Sequence, residues 1–128
     1  MGEQYLIDSN AISHYLGNRL PAAGMAFMNS VIDNFPKISV ITKIEVLSFN
    51  TASEYYQLIA DLVDAALVLD LSDDVVSKTI AIRKSRKIKT PDAIIAATAA
   101  VHELILITHN TIDFANIKGL KIINPHTV

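Results

Sequence analysis

The segment TPDAIIAATAAVHELILITHNTIDF, residues 90–114, decides the class of fold. Its first part is rich in alanine and has Pro91 at a favoured helix-start position, so it predicts a helix capped by Thr90. Residues 104–107 form a short apolar run that is typical of a buried strand. A turn or a second short helix is predicted to start near Asn110. A helix that leads into a buried strand is the repeating unit of an α/β fold.

The remainder of the chain repeats this alternation, with no internal repeat or linker. Strands are predicted at residues 5–7, 37–41, 66–69, 104–107 and 120–123. Helices are predicted at residues 9–17, with Ser9 or Asn10 as cap, and at residues 25–34, 42–49, 53–64 and 90–101. A further helix is predicted from its cap Ser72 to the Lys- and Arg-rich residues 78–89. We therefore expect one domain, residues 1–128, of class α/β: a three-layer α/β/α arrangement with a mostly parallel central sheet of four to five short strands. The pattern leaves the strand order open.

Composition excludes several classes of protein. Apolar residues make up 51% of the 128 residues and charged residues 19%, which supports a full core and argues against disorder. Cysteine is absent, so disulfides and thiolate metal sites are excluded. No apolar run is long enough to span a membrane, and the first residues lack the features of a signal peptide. We expect a cytoplasmic protein without a membrane partner.

Positive charge is concentrated in one segment, although the formal net charge is −2. Six of the 11 Lys and Arg residues lie in residues 78–89, and no Asp or Glu does. Such a basic segment is typical of a surface that binds a polyanion. The alternative is a solvated helix end, because cations are favoured at a helix C-terminus.

Four acidic residues are predicted to meet at one edge of the sheet. Asp8 ends the first strand, Glu45 and Asp92 lie in first turns of helices, and Asp113 follows the fourth strand. In a parallel sheet the strand C-termini and the helix N-termini share one edge, where ligands bind.

Each acid also has a purely structural interpretation. Asp8 could cap a helix, Thr42 and Glu45 fit a capping box, and Asp92 and Asp113 suit helix dipoles. Four carboxylates at one edge would nevertheless repel each other, and Mg²⁺, which prefers carboxylate oxygens and keeps several waters, would relieve that repulsion.

Four segments resemble a known family in order and spacing. They are LIDSN (residues 6–10), TKIEVL (42–47), TPDAIIAATA (90–99) and ITHNTIDF (107–114). Together they resemble a PIN domain, and in particular the VapC toxins of bacterial toxin–antitoxin pairs. The resemblance covers nearly the whole chain and implies a PIN-like fold.

The resemblance also implies site residues and a reaction. Asp8, Glu45 and Asp92 match the three core acids. The fourth position is open, because many relatives have Asp where this chain has Asn110, and Asp113 matches the second acid of that segment. Asn10 and Thr108 match positions that support the site through hydrogen bonds.

The implied activity is hydrolysis of RNA phosphodiester bonds with Mg²⁺ or Mn²⁺ as cofactor. We expect Asp8 and Asp92 to be direct ligands of the metal. Glu45 would hold a metal-bound water or accept its proton, and Asp113 would bind the metal directly or through water. The basic segment is then expected to flank the site and to bind RNA phosphates. Its expected RNA-binding residues are Arg83, Lys84, Arg86, Lys87 and Lys89. By the same resemblance the partners are a small antitoxin and a second copy of the chain in a homodimer.

Two other functions remain as alternatives. Aspartates at a sheet edge also serve phosphotransfer enzymes, although these usually have D-x-D after the first strand and here Asn10 replaces the second Asp. The other alternative is an inactive domain that only binds RNA or protein, and Asn110 is its best support. The histidines, at positions 14, 102, 109 and 126, are far apart in sequence and predict no catalytic or ligand pair.

Overall fold

The computed structural model describes residues 3–128, in which five strands and seven helices alternate. The strands are β1 (Tyr5–Ile7), β2 (Lys37–Ser39), β3 (Leu67–Leu69), β4 (Ile105–Ile107) and β5 (Lys121–Ile123). The helices are α1 (Ser9–Leu16), α2 (Ala22–Asp33), α3 (Val40–Leu47), α4 (Ser53–Ala65), α5 (Asp73–Ser85), α6 (Thr90–Val101) and α7 (Thr111–Phe114). No helix in the described range is both long and apolar enough to cross a lipid bilayer.

All strand pairs are parallel, as the alternation predicted. The strands form a three-stranded ladder in the order β1-β4-β5 and a two-stranded ladder of β2 and β3. β1 also contacts β2, so the two ladders lie side by side, although no ladder hydrogen bonds join them. The α/β class is confirmed, but the predicted single sheet of four to five strands is divided into three strands and two.

The central strands separate two hydrophobic cores. Leu6 of β1 and Leu106 of β4 belong to one core, which contains buried residues of α5 and α6. Their neighbours Ile7 and Ile107 belong to the other core, which contains buried residues of α1, α2, α3 and α4. Successive side chains of a strand point to opposite faces, so helices cover both faces of the sheet and the three-layer prediction is confirmed.

Helix starts differ from the predictions by a few residues. The second strand ends at Ser39 instead of residue 41, because the Ser39 Oγ accepts a hydrogen bond from the Thr42 N–H at 3.2 Å and caps α3. Asp8, instead of Ser9 or Asn10, is the N-cap of α1. The predicted cap of α5 is correct, since the Ser72 Oγ accepts from the Val75 N–H at 3.3 Å.

The C-terminal segment packs directly on α2 at Gly24. A Cβ atom at Gly24 would lie 2.0 Å from the carbonyl oxygen of Pro125, which is closer than real Cβ contacts. The absence of a side chain at this position therefore allows α2 and the segment after β5 to touch through their backbones.

We predict that Gly24→Ala destabilises the protein by about 1–3 kcal/mol, because the added methyl group forces α2 and Pro125 apart. Urea denaturation followed by circular dichroism measures the free energy of unfolding. Gly17→Ala is the comparison variant: Gly17 is exposed, and a Cβ there would lie 3.0 Å from the Ser13 carbonyl oxygen, a tight contact that a small shift relieves, so its destabilisation should be smaller. Equal stabilities of the two variants would contradict the close approach at Gly24.

Candidate functional site

Asp8 is a buried carboxylate at the end of β1, with 5% of its surface exposed. Its Oδ1 accepts a hydrogen bond from the Ser9 N–H at 2.8 Å. Its Oδ2 accepts from the Thr108 Oγ1 at 2.8 Å and from the Asn10 Nδ2 at 3.3 Å. These donors are all neutral, so they orient the carboxylate without cancelling its charge.

Thr108 and Asn10 join the ends of two neighbouring strands. Thr108, which follows β4, is fully buried and receives hydrogen bonds from the Asn10 Nδ2 at 3.3 Å and the Asn110 N–H at 3.0 Å. The Asn10 Oδ1 in turn accepts from the His109 N–H at 3.0 Å. Thr108 and Asn10, which the resemblance implied as supports of the site, therefore both donate hydrogen bonds to Asp8.

Glu45 faces Asp8 across the ends of β1 and β2. The alternative interpretation of Thr42 and Glu45 as a capping box does not hold, because α3 begins at Val40 and Ser39 caps it. The Glu45 Oε1 instead accepts a hydrogen bond from the Ser9 Oγ at 2.5 Å. A residue of α1, 36 positions away, thus holds the Glu45 carboxylate.

Asp92 and Asp113 come from α6 and α7. Asp92 is half-buried in the first turn of α6 and Asp113 is exposed in α7. The Asn110 Nδ2 donates a hydrogen bond to the Asp113 Oδ2 at 2.8 Å. Asn110 therefore contacts the fourth acid directly.

The electrostatics link all four acids, which we call the acidic edge: Asp8, Glu45, Asp92 and Asp113. Burial raises the pKa of Asp8 to about 6; the hydrogen bonds from Thr108 and Ser9 oppose the rise, and the charges of Glu45 and Asp92 add to it. Burial also raises the pKa of Asp92, as do the charges of Asp113 and Glu45, against Lys89. Each acid thus lies within electrostatic range of at least one other.

The donor set of the acidic edge fits a hard divalent cation. Carboxylate oxygens are the ligands that Mg²⁺ prefers, and a cation would offset the mutual repulsion. Within residues 3–128, no three His, Asp or Glu side chains are disposed to hold one ion together. That arrangement is compatible with Mg²⁺, which keeps several waters and needs one or two carboxylates directly.

The basic segment borders the acidic edge through a pocket of about 460 Å³. This basic pocket is lined by Arg83, Arg86, Lys87, Ile88, Lys89, Asp92, Ile112 and Asp113. Lys84 is not among its lining residues, so the structure separates it from the other four expected RNA-binding residues.

Two arginines of the basic pocket also bind the protein backbone. The Arg83 Nε donates to the Ile88 carbonyl at 3.2 Å, and the Arg86 Nη1 donates to the Ala115 carbonyl at 2.5 Å. Arg86 thereby joins the end of α5 to the end of α7, while its Nε is buried without a partner in the described residues. Lys87 and Lys89 remain as exposed cations of the pocket.

Three histidines that are far apart in the sequence are neighbours in the fold. The ring centroids of His14, His109 and His126 lie 4.3–5.4 Å from one another. No local spacing signals this group, since His14 and His126 are 112 positions apart. Only the pairing of β1, β4 and β5 brings them together.

Comparisons with known proteins identify a family and several similar folds. The family model of the PIN domain matches residues 5–120. A toxin–antitoxin complex from Klebsiella pneumoniae contains a chain that is 29% identical, with a TM-score of 0.75, over 98% of this chain and 100% of that one.

Other solved structures share the fold at lower identity. The DNA-bound VapBC from Salmonella typhimurium has 20% identity and a TM-score of 0.79, over 97% of this chain and 99% of that one. VapBC2 from Rickettsia felis, bound to a promoter fragment, has 22% identity and a TM-score of 0.77, over 94% of this chain and 97% of that one. No curated protein matches the sequence.

We predict that Asp8→Asn stabilises the protein at neutral pH in the presence of a chelator. Because the pKa of Asp8 is raised from 3.8 to about 6, the folded state binds its proton more tightly than the unfolded chain does. The free energy of unfolding of the wild type therefore falls as pH rises through this window. The uncharged amide of the variant avoids that loss. Because an amide has only one acceptor oxygen, it cannot accept all the hydrogen bonds of the carboxylate, and the net gain in the free energy of unfolding is reduced to roughly 1–2 kcal/mol.

Urea denaturation of both proteins at about pH 7.5 and about pH 4 measures this difference. The advantage of the variant should be present at the higher pH and should shrink or disappear at the lower one. Asp70→Asn, at an exposed position, is the control and should have the same small effect at both. A variant less stable than the wild type at the higher pH would contradict the prediction.

Proposed function

The chain belongs to the PIN domain family, and from this premise we propose that it is a metal-dependent endoribonuclease that hydrolyses RNA phosphodiester bonds. The observation that carries the proposal is the acidic edge, where burial and neighbouring acids raise the pKa values of Asp8 and Asp92. A protein gains no stability from such a group of acids. Perturbed carboxylates at a ligand-binding edge are instead typical of a catalytic site.

Mg²⁺ or Mn²⁺ would supply the chemistry of activating a water and neutralising charge on the phosphate. We assign Asp8 and Asp92 as its direct ligands. Asp8 is suited to this role because Thr108 and Ser9 fix both of its oxygens. A pKa of about 6 leaves the Asp8 carboxylate mostly ionised at neutral pH.

Glu45 is assigned to the proton of the attacking water. The Glu45 Oε1 already accepts a hydrogen bond from the Ser9 Oγ, so the Oε2 is the atom that would accept the proton. Ser9 thus orients both Asp8, through its N–H, and Glu45, through its hydroxyl.

Asp113 is assigned as the fourth acid, with Asn110 as its support. The Asn110 Nδ2 donates to the Asp113 Oδ2 at 2.8 Å, and the Asn110 N–H donates to Thr108. An amide at position 110 can therefore hold Asp113 without adding a further negative charge. One or two metal ions are compatible with this set of oxygens.

The basic pocket is the proposed path of the RNA strand. Lys87 and Lys89 line it together with Asp92 and Asp113, so phosphates next to the cut would meet positive charge. Arg83 and Arg86 line the same pocket, but their backbone bonds give them a structural role as well.

We further propose that the protein is the toxin of a toxin–antitoxin pair. Its support is the likeness to the chain of the Klebsiella pneumoniae toxin–antitoxin complex along its full length. A small antitoxin, a homodimeric state and a cytoplasmic location are parts of this proposal.

We predict that Asp92→Asn lowers the rate of RNA cleavage in Mn²⁺ by about 100-fold or more, because loss of a metal ligand costs several kcal/mol. Cleavage of total bacterial RNA, followed by gel electrophoresis, measures the rate. The exposed Asp73→Asn is the control and should cleave like the wild type. Thermal denaturation should show that both variants fold. Full activity of Asp92→Asn would disprove the assigned role.

We predict that the affinity for RNA depends on the exposed lysines of the basic pocket. Reversing Lys87 and Lys89 to Glu should weaken RNA binding and flatten its dependence on salt, by about 0.7 in log–log slope for each single-strand phosphate that the variant no longer neutralises. Binding is measured with EDTA present, so that no RNA is cut. The control is Lys84→Glu, which changes the same segment outside the basic pocket. Equal slopes for the double variant and the control would exclude the pocket as the RNA path.

A further inference from the structure

The histidine cluster, formed by His14, His109 and His126, lies beside the acidic edge but is no part of the proposed reaction. His14 is on α1, His109 follows Thr108 after β4, and His126 is in the segment after β5. The His14 Nδ1 and the His126 Nε2 are 2.8 Å apart, and the rings of His109 and His126 have centroids 4.3 Å apart. Three imidazoles from three separate parts of the fold thus share one small volume.

The side chain of Asn124 lies beside one nitrogen of the His109 ring. The Asn124 Oδ1 accepts from the His126 N–H at 2.9 Å, which identifies this atom as the amide oxygen. The same oxygen lies 3.5 Å from the His109 Nδ1, and it can only accept. This contact favours the tautomer of neutral His109 that has its proton on Nδ1, and in that tautomer Nε2 carries a lone pair. This orientation by a partner of the other ring nitrogen is typical of metal-ligating histidines.

The surroundings of His14 and His126 favour the neutral form of both rings. Burial lowers the pKa of His14, and the charges of Arg19, His126 and His109 lower it further. Burial also lowers the pKa of His126, again with contributions from His109 and Arg19. Because a metal ion binds the neutral imidazole, this environment favours a ligand over a proton.

We propose that His14, His109 and His126 form a binding site for a transition-metal ion, and that Zn²⁺ is the ion it binds. Imidazole nitrogens suit Zn²⁺, Ni²⁺ and Cu²⁺, whereas Mg²⁺ prefers oxygen. The site therefore differs in chemistry from the acidic edge, and the two would select different ions.

Small ring movements would complete the site. Two nitrogens on one tetrahedral Zn²⁺ are about 3.3 Å apart, given bonds of about 2.0–2.1 Å. The His14 and His126 nitrogens are at 2.8 Å, and the described residues contain no three ligands already set around an ion. An ion would take the place of the shared hydrogen bond, and the proton of that bond would move through water to the other nitrogen of its ring. Both rings stay neutral in this exchange.

A bound ion would fasten the C-terminal segment to the loops of the acidic edge. His109 lies between Thr108 and Asn110, and its N–H donates to the Asn10 Oδ1. Zn²⁺ would thus link α1, the loop after β4 and the segment after β5. Because it binds the folded chain only, it raises the free energy of unfolding.

Calorimetric titration of the full chain with ZnCl₂ in a buffer free of Mg²⁺ tests the proposal. We expect one Zn²⁺ per chain, and about 100-fold weaker binding for His126→Ala, since changes around ligands alone cost 10–100-fold. His126→Gln is the second variant, should the alanine variant fold poorly. His102→Ala, an exposed histidine outside the cluster, is the control and should bind as the wild type does.

A second experiment distinguishes Zn²⁺ binding at the histidine cluster from binding at the acidic edge. The double variant Asp8→Asn, Asp92→Asn should still bind Zn²⁺ at the histidine cluster, and its thermal midpoint should rise with Zn²⁺. If this variant loses Zn²⁺ binding, the ion lies at the acidic edge and the proposal is wrong. Unchanged binding by His126→Ala and His126→Gln, or no saturable binding by the wild type, would also overturn it.

Discussion

The hydrogen bond between Thr108 and Asp8 depends on the parallel pairing of β1 with β4. Ile7 pairs with Ile107, and the Asp8 N–H continues the ladder by donating to the Ile107 carbonyl at 2.9 Å. This register brings the next residue of each strand side by side, 100 positions apart in sequence. A shift by one residue would exchange the two hydrophobic faces of the strand, so the cores on both sides enforce the register. The position of Asp8 thus follows from the burial of its apolar neighbours.

The same arrangement imposes a cost on the folded protein. Burial beside other acids destabilises the charged form of a carboxylate relative to the same group in water, as the raised pKa of Asp8 indicates. The neutral donors around Asp8 reduce this cost without removing the charge. A cationic side chain beside Asp8 would stabilise the fold more, but it would occupy the place of the divalent cation in the proposed reaction. Under the proposed function, the acidic edge lowers the stability of the fold and would gain it back when a divalent ion binds.

Much of this architecture was predictable, because it depends on patterns within short segments. The alternation of strands and helices predicted the three-layer fold, and the parallel sheet predicted the common edge of the four acids. The starts of helices were less predictable, since Ser39 and Thr42 compete as caps and only the packed structure selects Ser39. The contacts that organise the site were out of reach: Ser9 with Glu45, and His14 with His126, join residues 36 and 112 positions apart. Such pairs depend on strand order, which the sequence pattern left open.

Asn10 shows why an amide, and no second carboxylate, belongs after β1. Its Nδ2 donates to Asp8 and Thr108, and its Oδ1 accepts from the His109 N–H. An aspartate at position 10 could accept from His109, but it could donate to neither of the other two at neutral pH. It would also place one more negative charge against a carboxylate whose pKa is already raised. The D-x-D arrangement of phosphotransfer enzymes is therefore unfavourable here, because the geometry around Asp8 needs a donor and an acceptor from the same side chain.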